Sequence, residues 1–210
     1  MPAFPAPFQD QLRELFRLRR DVRRFRTDPV PEELMLELLG AAHLSPSVGL
    51  SQPWRFILVE DPSRRQAVID EFQRANEAAA AIYDDERARL YRGLKLAGLR
   101  EAPVHLLVAV ETEPETGHGL GRQTQPVTLR DSAVCAIQNL WLTARAKGVG
   151  VGWVSILEPE RLREAMDLPP TWAWVGYLCI GWPQEEPDVP VLQTAGWDRR
   201  RPLEEHLLRR

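Results

Sequence analysis

Apolar positions along the chain fall into two periodicities, one of a helix and one of buried strands. From Phe8 to Leu18 they recur as Phe8, Leu12, Leu15 and Phe16, three or four residues apart, which predicts an amphipathic helix. Pro31-Glu32-Glu33 opens a second helix through Leu34, Leu38, Leu39 and Ala42, ended by Ser45-Pro46 because proline disfavours helical geometry in the residue before it. Ser63 to about Arg100 carries mostly helix formers. Asp131 to Lys147 places Val134, Ile137, Trp141 and Ala144 on one stripe, with Gly148 as a stop. Between these helices lie short segments read as strands: Arg55 to Val59, Val104 to Val110, Val149 to Ile156 and Trp174 to Gly181. Thr112 to Thr128, rich in Gly, Pro, Thr and Gln, reads as a long loop, and loops of that length are commonly functional. Long helices around a few buried strands predict an α+β fold in a single domain spanning 1–210.

Composition narrows the classes. The 210 residues are 44% hydrophobic and 27% charged with a net charge of −3, so one core can form and no basic excess exists to grip nucleic acid. The N-terminus lacks a charged start followed by an apolar run, and no stretch reaches the roughly 20 apolar residues of a membrane span. These features predict a soluble, cytoplasmic protein. Cys135 and Cys179, far apart in apolar stretches, are read as two buried reduced thiols.

Several motifs fail on context. Gly148, Gly150 and Gly152 follow a helix and lead into a strand, the reverse of a dinucleotide-binding turn. Gly117, Gly119 and Gly121 have the wrong spacing for one, and no phosphate-binding Walker loop or Gly-x-Ser-x-Gly elbow occurs. The four histidines are scattered singly, away from both cysteines, so no metal site is expected.

Four segments remain. Arg19, Asp21 and Arg23 alternate along an extended stretch and would share a face, as suits a phosphate site with a placed carboxylate; a solvated basic turn fits the same residues. Ser45-Pro46-Ser47-Val48-Gly49-Leu50-Ser51-Gln52-Pro53-Trp54 reads equally as a ligand loop or as an ordinary helix-to-strand connection. Gly148 to Ile156 interrupts a strand with glycines, which marks close approach of a ligand or of another backbone; Ser155 within it could be a core hydroxyl. Trp197-Asp198-Arg199-Arg200-Arg201 offers an Arg-x-Arg fork for phosphate or a solvated charge cluster.

In this order and spacing the four segments resemble the nitroreductase-like FMN enzymes, over the chain from about Leu18 to Pro202, with Ser51-Gln52-Pro53-Trp54 the most specific general mark. Two departures point to a subgroup: the family's serine in the first segment is here Asp21, and its acidic residue in the glycine-rich strand is here Ser155. Arg19-Arg20-Asp21-Val22-Arg23, Pro46-Ser47-Val48-Gly49, Ala136 to Trp141 and Gly152-Trp153-Val154-Ser155 are similar to the 5,6-dimethylbenzimidazole synthase subgroup.

The resemblance implies a mixed, mostly antiparallel sheet flanked by helices, in an intertwined homodimer with FMN between the chains. It implies catalytic roles for Asp21 and Ser155. FMN contacts would come from Arg19, Arg20, Asp21, Val22, Arg23, Ser47, Ser51, Lys95, Leu96, Ser155, Arg199 and Arg201. Lids would cover about 76–95 and 112–129. The implied reaction consumes reduced FMN and O2, releasing dimethylbenzimidazole, the cobalamin lower ligand, and erythrose 4-phosphate, with a separate reductase supplying the reduced flavin. Arginine neighbours are expected to favour the ionised form of Asp21. An NAD(P)H-dependent nitroreductase or flavin reductase, and a non-catalytic flavin-binding protein, are the competing expectations.

Overall fold

The computed structural model describes residues 2–210; Met1, included in the expected domain, lies outside them. Helix α1 (Ala6–Leu18) is followed by an extended segment, helix α2 (Glu32–His43) and strand β1 (Trp54–Leu58). Helices α3 (Pro62–Ala80) and α4 (Asp85–Gly93) precede β2 (Val104–Glu111), α5 (Thr128–Ala146) and β3 (Gly150–Val154). Helix α6 (Pro159–Met166), β4 (Trp172–Gly181) and the single turn α7 (Val191–Thr194) complete the chain.

The strands form one sheet in the order β1-β2-β4-β3, and every strand pair is antiparallel. The mixed character expected of the sheet reduces to one parallel bridge, Asp21 to Val151, outside the strands themselves.

Helices cover both faces of the sheet. Alternate residues of β2 therefore serve different cores: Leu106, Val108 and Val110 pack with α2 and α5, whereas Leu107 and Ala109 pack with α3 and α6. A strand buried on both sides has no polar face, which is why β2 reads as a continuous apolar run. The buried stripe of α5 comprises Ala133, Ala136, Ile137, Leu140, Trp141 and Ala144, with Val134 at its half-buried margin.

Local chemistry sets the helix ends. Asp61 caps α3 by accepting the Ser63 N–H at 2.7 Å, and Asp84 caps α4 by accepting the Arg87 N–H at 2.9 Å. The long helical region expected from Ser63 to about Arg100 is thus two helices: a break at 82–84 lets Asp84 start the second, and 94–97 run without regular structure. Cys179 is buried as expected, and burial pushes its thiol up to about 12. Cys135 is exposed instead, on the face of α5 turned away from the core.

Candidate functional site

The site is built on the free edge of β3. There the extended segment after α1 lies along the strand, with Val22 N–H donating to the Val151 carbonyl at 3.0 Å. Gly152 makes this possible: a Cβ at that position would stand 2.2 Å from the Val22 carbonyl oxygen. Gly150 likewise leaves room for the Val22 side chain. Of the two meanings open to these glycines, the structure shows close approach of another backbone. Phe25, fully buried, anchors the far end of the segment.

Anchored in this way, the segment presents Arg19, Arg20, Asp21 and Arg23 to a cavity of about 450 Å³. Leu94, Lys95 and Leu96 wall it on one side, and Pro190 to Gln193 with Asp198, Arg199 and Arg200 on the other. An adjoining space of about 210 Å³ shares Arg20, Asp21, Arg23 and Lys95, so Asp21 and Arg23 border both.

Asp21 is tightly held. Its Oδ1 accepts the Trp153 N–H at 2.8 Å, and its Oδ2 accepts from Arg23, which also donates to the Trp153 carbonyl at 2.9 Å. Burial raises its carboxyl above the usual carboxylate value, against the lowering pull of Arg23, the Trp153 N–H and Arg19. The arginines act in the expected direction, but desolvation is the larger effect. The ionised form is therefore disfavoured overall.

The basic side chains form a cluster short of negative charge. Arg19 stacks over the Trp141 ring at 4.7 Å, and burial lowers its pKa, with Asp21 opposing and Arg200 adding to the shift. Arg20 is lowered by burial and by Arg200, Arg19 and Arg17. Arg20 donates to the carbonyls of Arg17, Arg19 and Asp188 and so ties the end of α1 to the C-terminal wall. Among the described residues, Arg20 Nε and Arg23 Nη1 are buried without a hydrogen-bond partner. Repelling guanidiniums with donors to spare suit a bound anion, and the leucine, valine and proline walls suit an apolar body attached to it.

Of the remaining expected residues, Ser47, Ser51, Ser155, Arg201 and Val22 stand apart from this cavity. Ser47 Oγ accepts the Gln52 N–H at 3.0 Å, and Ser51 Oγ is buried without a partner, both in a loop packed against 116–120. Gly49, at φ +57°, lies where a Cβ would meet the Gly117 carbonyl at 2.9 Å. Ser155 is exposed just beyond β3, two residues from the Trp153 peptide that Asp21 and Arg23 grip. Arg201 faces Glu205 at 3.7 Å, whereas Arg200 lines the cavity. Val22 packs over Gly150 and borders the adjoining space rather than the cavity itself. Lys95 is paired with Glu101, and Leu96 lines the wall.

Sequence reasoning missed the 190–193 wall, Arg200 and the Trp153 N–H. The run Arg199-Arg200-Arg201 signalled the second of these without saying which arginines face inward. A backbone donor and a one-turn helix leave no side-chain pattern to read. Among the described residues, no group of three or more His, Cys, Asp or Glu could hold a metal ion.

The profile of the nitroreductase family matches residues 17–182, and the chain belongs to that family. Within it, the chain is 54% identical over 201 residues to the 5,6-dimethylbenzimidazole synthase of Rhodospirillum rubrum, covering 96% of this chain and 95% of the relative. It is 43% identical to the protein of the same name from Rhodobacter capsulatus, covering 96% and 97%. Its fold is shared with a crystal structure of iodotyrosine deiodinase bound to FMN and 3-iodo-L-tyrosine, at TM-score 0.72 and 24% identity, covering 85% of this chain and 94% of the other. A BluB-like flavoprotein from Clostridium difficile 630 superposes at TM-score 0.70 with 18% identity, covering 94% and 97%.

Proposed function

We propose that this protein is a 5,6-dimethylbenzimidazole synthase: it binds reduced FMN and, with O2, fragments it to dimethylbenzimidazole and erythrose 4-phosphate. What carries this reading is the 54% identity, sustained over 96% of the chain, to a protein of that name. The reduced flavin supplies the electrons that O2 accepts.

The chain's own residues suit the remaining tasks. Arg19, Arg23, Arg199 and Arg200 would hold the phosphate and polar flavin edge with Arg20 beside them, and the unpartnered nitrogens of Arg20 and Arg23 support that assignment. Leu94, Leu96 and Val191 would lie against the ring and keep water from it. Asp21 would exchange a proton with the flavin or its ribityl chain. Its raised pKa suits such a group, because burial favours the form that carries the proton. Ser155 would orient the flavin edge.

The active unit would be a homodimer. Phe8, Leu12 and Phe16 form an apolar stripe on α1, extended by Phe4 just before the helix, that stays exposed in the single chain, as a helix waiting for a partner would. Ser47 and Ser51 would then complete the site from the second chain, and a separate flavin reductase would supply reduced FMN. Among the described residues no helix is long and apolar enough to cross a membrane; the enzyme would act in the cytoplasm on a diffusible flavin. The segments about 76–95 and 112–129 would close over the bound ligand.

The test is aerobic incubation of the purified protein with chemically reduced FMN, read by mass spectrometry. Dimethylbenzimidazole is the expected product. Intact FMN, with steady NAD(P)H oxidation by nitroaromatics, would instead identify a nitroreductase or flavin reductase; intact FMN with no turnover would identify a flavin-binding protein.

A further inference from the structure

The two walls of the cavity belong to segments about a hundred residues apart, and one side chain joins them. Trp197 lies between the 190–193 wall and the Arg199-Arg200 pair, its backbone N–H donating to the Leu192 carbonyl at 2.9 Å. Its ring meets Tyr83 edge-on at 5.4 Å and Tyr91 at 6.0 Å, and the Arg87 guanidinium sits over it at 5.2 Å. Tyr83 and Tyr91 pack on each other at 5.3 Å, and Tyr91 donates to Asn76 Oδ1 at 2.8 Å, which ties the knot to α3. Tyr91, Arg87 and the residues that follow α4 lead directly into Leu94, Lys95 and Leu96 of the opposite wall. Trp197 takes part in neither buried core cluster, so folding alone does not account for three aromatic and cationic contacts on one half-exposed indole.

We propose that Trp197 is a positioning residue that sets the preference for a phosphorylated over an unphosphorylated flavin. By clamping the loop that carries Arg199 and Arg200 to α4, it holds two basic residues at the cavity rim, with Arg200 close enough to Arg19 and Arg20 to repel both. Unclamped, that loop relaxes outward under the like-charge repulsion and the phosphate loses its partners. The flavin ring, held by the apolar walls, is affected less. The inference rests on the reading of the basic cluster as a phosphate site.

The test compares dissociation constants of FMN and riboflavin for the full-length protein and its variants. The parent favours FMN. In Trp197→Ala the FMN-to-riboflavin affinity ratio falls by about tenfold or more, the equivalent of losing one charge-assisted hydrogen bond. Trp197→Phe, which keeps an aromatic ring in the knot, restores most of the ratio. Tyr83→Ala removes the opposing ring and lowers the ratio in the same direction, so the idea can be tested even if Trp197→Ala folds poorly. Hydrogen exchange gives a second reading: FMN slows exchange in 85–93 of the parent and not in Trp197→Ala. Equal losses of FMN and riboflavin affinity, or an unchanged ratio, would overturn the role of Trp197 while leaving the phosphate site intact. A parent that binds both flavins equally would overturn the phosphate site and this proposal with it.

Discussion

Replacing Asp21 by asparagine removes one charge and almost no volume. The amide oxygen can still accept the Trp153 N–H now held at 2.8 Å, and Arg23 keeps its 2.9 Å bond to the Trp153 carbonyl, so the segment stays on β3. What disappears is the ability to exchange a proton, together with the Oδ2 acceptor of Arg23, which an amide NH2 cannot replace. Positioned proton transfer is typically worth about 10²–10⁴ in rate, or roughly 3–5 kcal/mol of barrier, and dimethylbenzimidazole formation should fall by that factor. The effect on stability should depend on pH. Burial raises the Asp21 pKa, so the folded state prefers the protonated carboxyl. The stability associated with that preference is complete below the unfolded value of about 4 and is lost as pH rises through the folded one. Asparagine carries no such preference. Thermal unfolding of the ligand-free proteins should therefore show the variant gaining stability relative to the parent as pH rises from 4 to 7. Parental turnover in a variant that binds FMN normally would refute the catalytic assignment. A variant less stable at pH 7 than at pH 4, relative to the parent, would refute the electrostatic one.

Other consequences are as direct. Gly152→Ala drives a Cβ into the Val22 carbonyl, so it should cost about 1–3 kcal/mol by denaturant unfolding and displace Asp21 enough to abolish activity; a neutral effect on both would contradict the close approach. His105 is held near pKa 4 by burial and by Arg65, and shares a 2.9 Å hydrogen bond with Tyr177. A depressed histidine stabilises above its unfolded value of about 6.5, so stability should decline from there towards pH 4, by about 3 kcal/mol at full protonation, and His105→Gln should flatten that slope in pH-dependent unfolding. Phe8→Asp combined with Phe16→Asp charges the exposed stripe of α1 and should convert a dimer to monomers in light scattering; an unchanged mass would remove α1 from the interface.

Periodic features were legible in the sequence. The apolar run of β2 and the spacing on α5 each follow from what covers them, and the structure places both elements within three residues of expectation. Features set by a partner's backbone were not. Gly150 and Gly152 announced close approach, yet nothing local named Val22 as the neighbour. The break between α3 and α4 turned on a single capping aspartate in a stretch of helix formers. Alternation along 19–23 put Arg19, Asp21 and Arg23 together, but Arg20 also reaches the cavity because a long guanidinium stem can turn back towards the carbonyls of Arg17 and Asp188. The sign of the Asp21 shift was missed for a similar reason. Charged neighbours can be counted in a sequence, whereas desolvation depends on walls contributed by residues 94–96 and 190–193.

The central claim is that a phosphorylated flavin occupies this cavity with Asp21 against it, and a crystal structure of the protein grown with FMN tests that most directly. The account predicts the phosphate among Arg19, Arg23, Arg199 and Arg200 and the Asp21 carboxylate within hydrogen-bonding reach of the ring or ribityl chain. Flavin bound elsewhere, or seated with Asp21 and Ser155 both remote from it, would contradict the account.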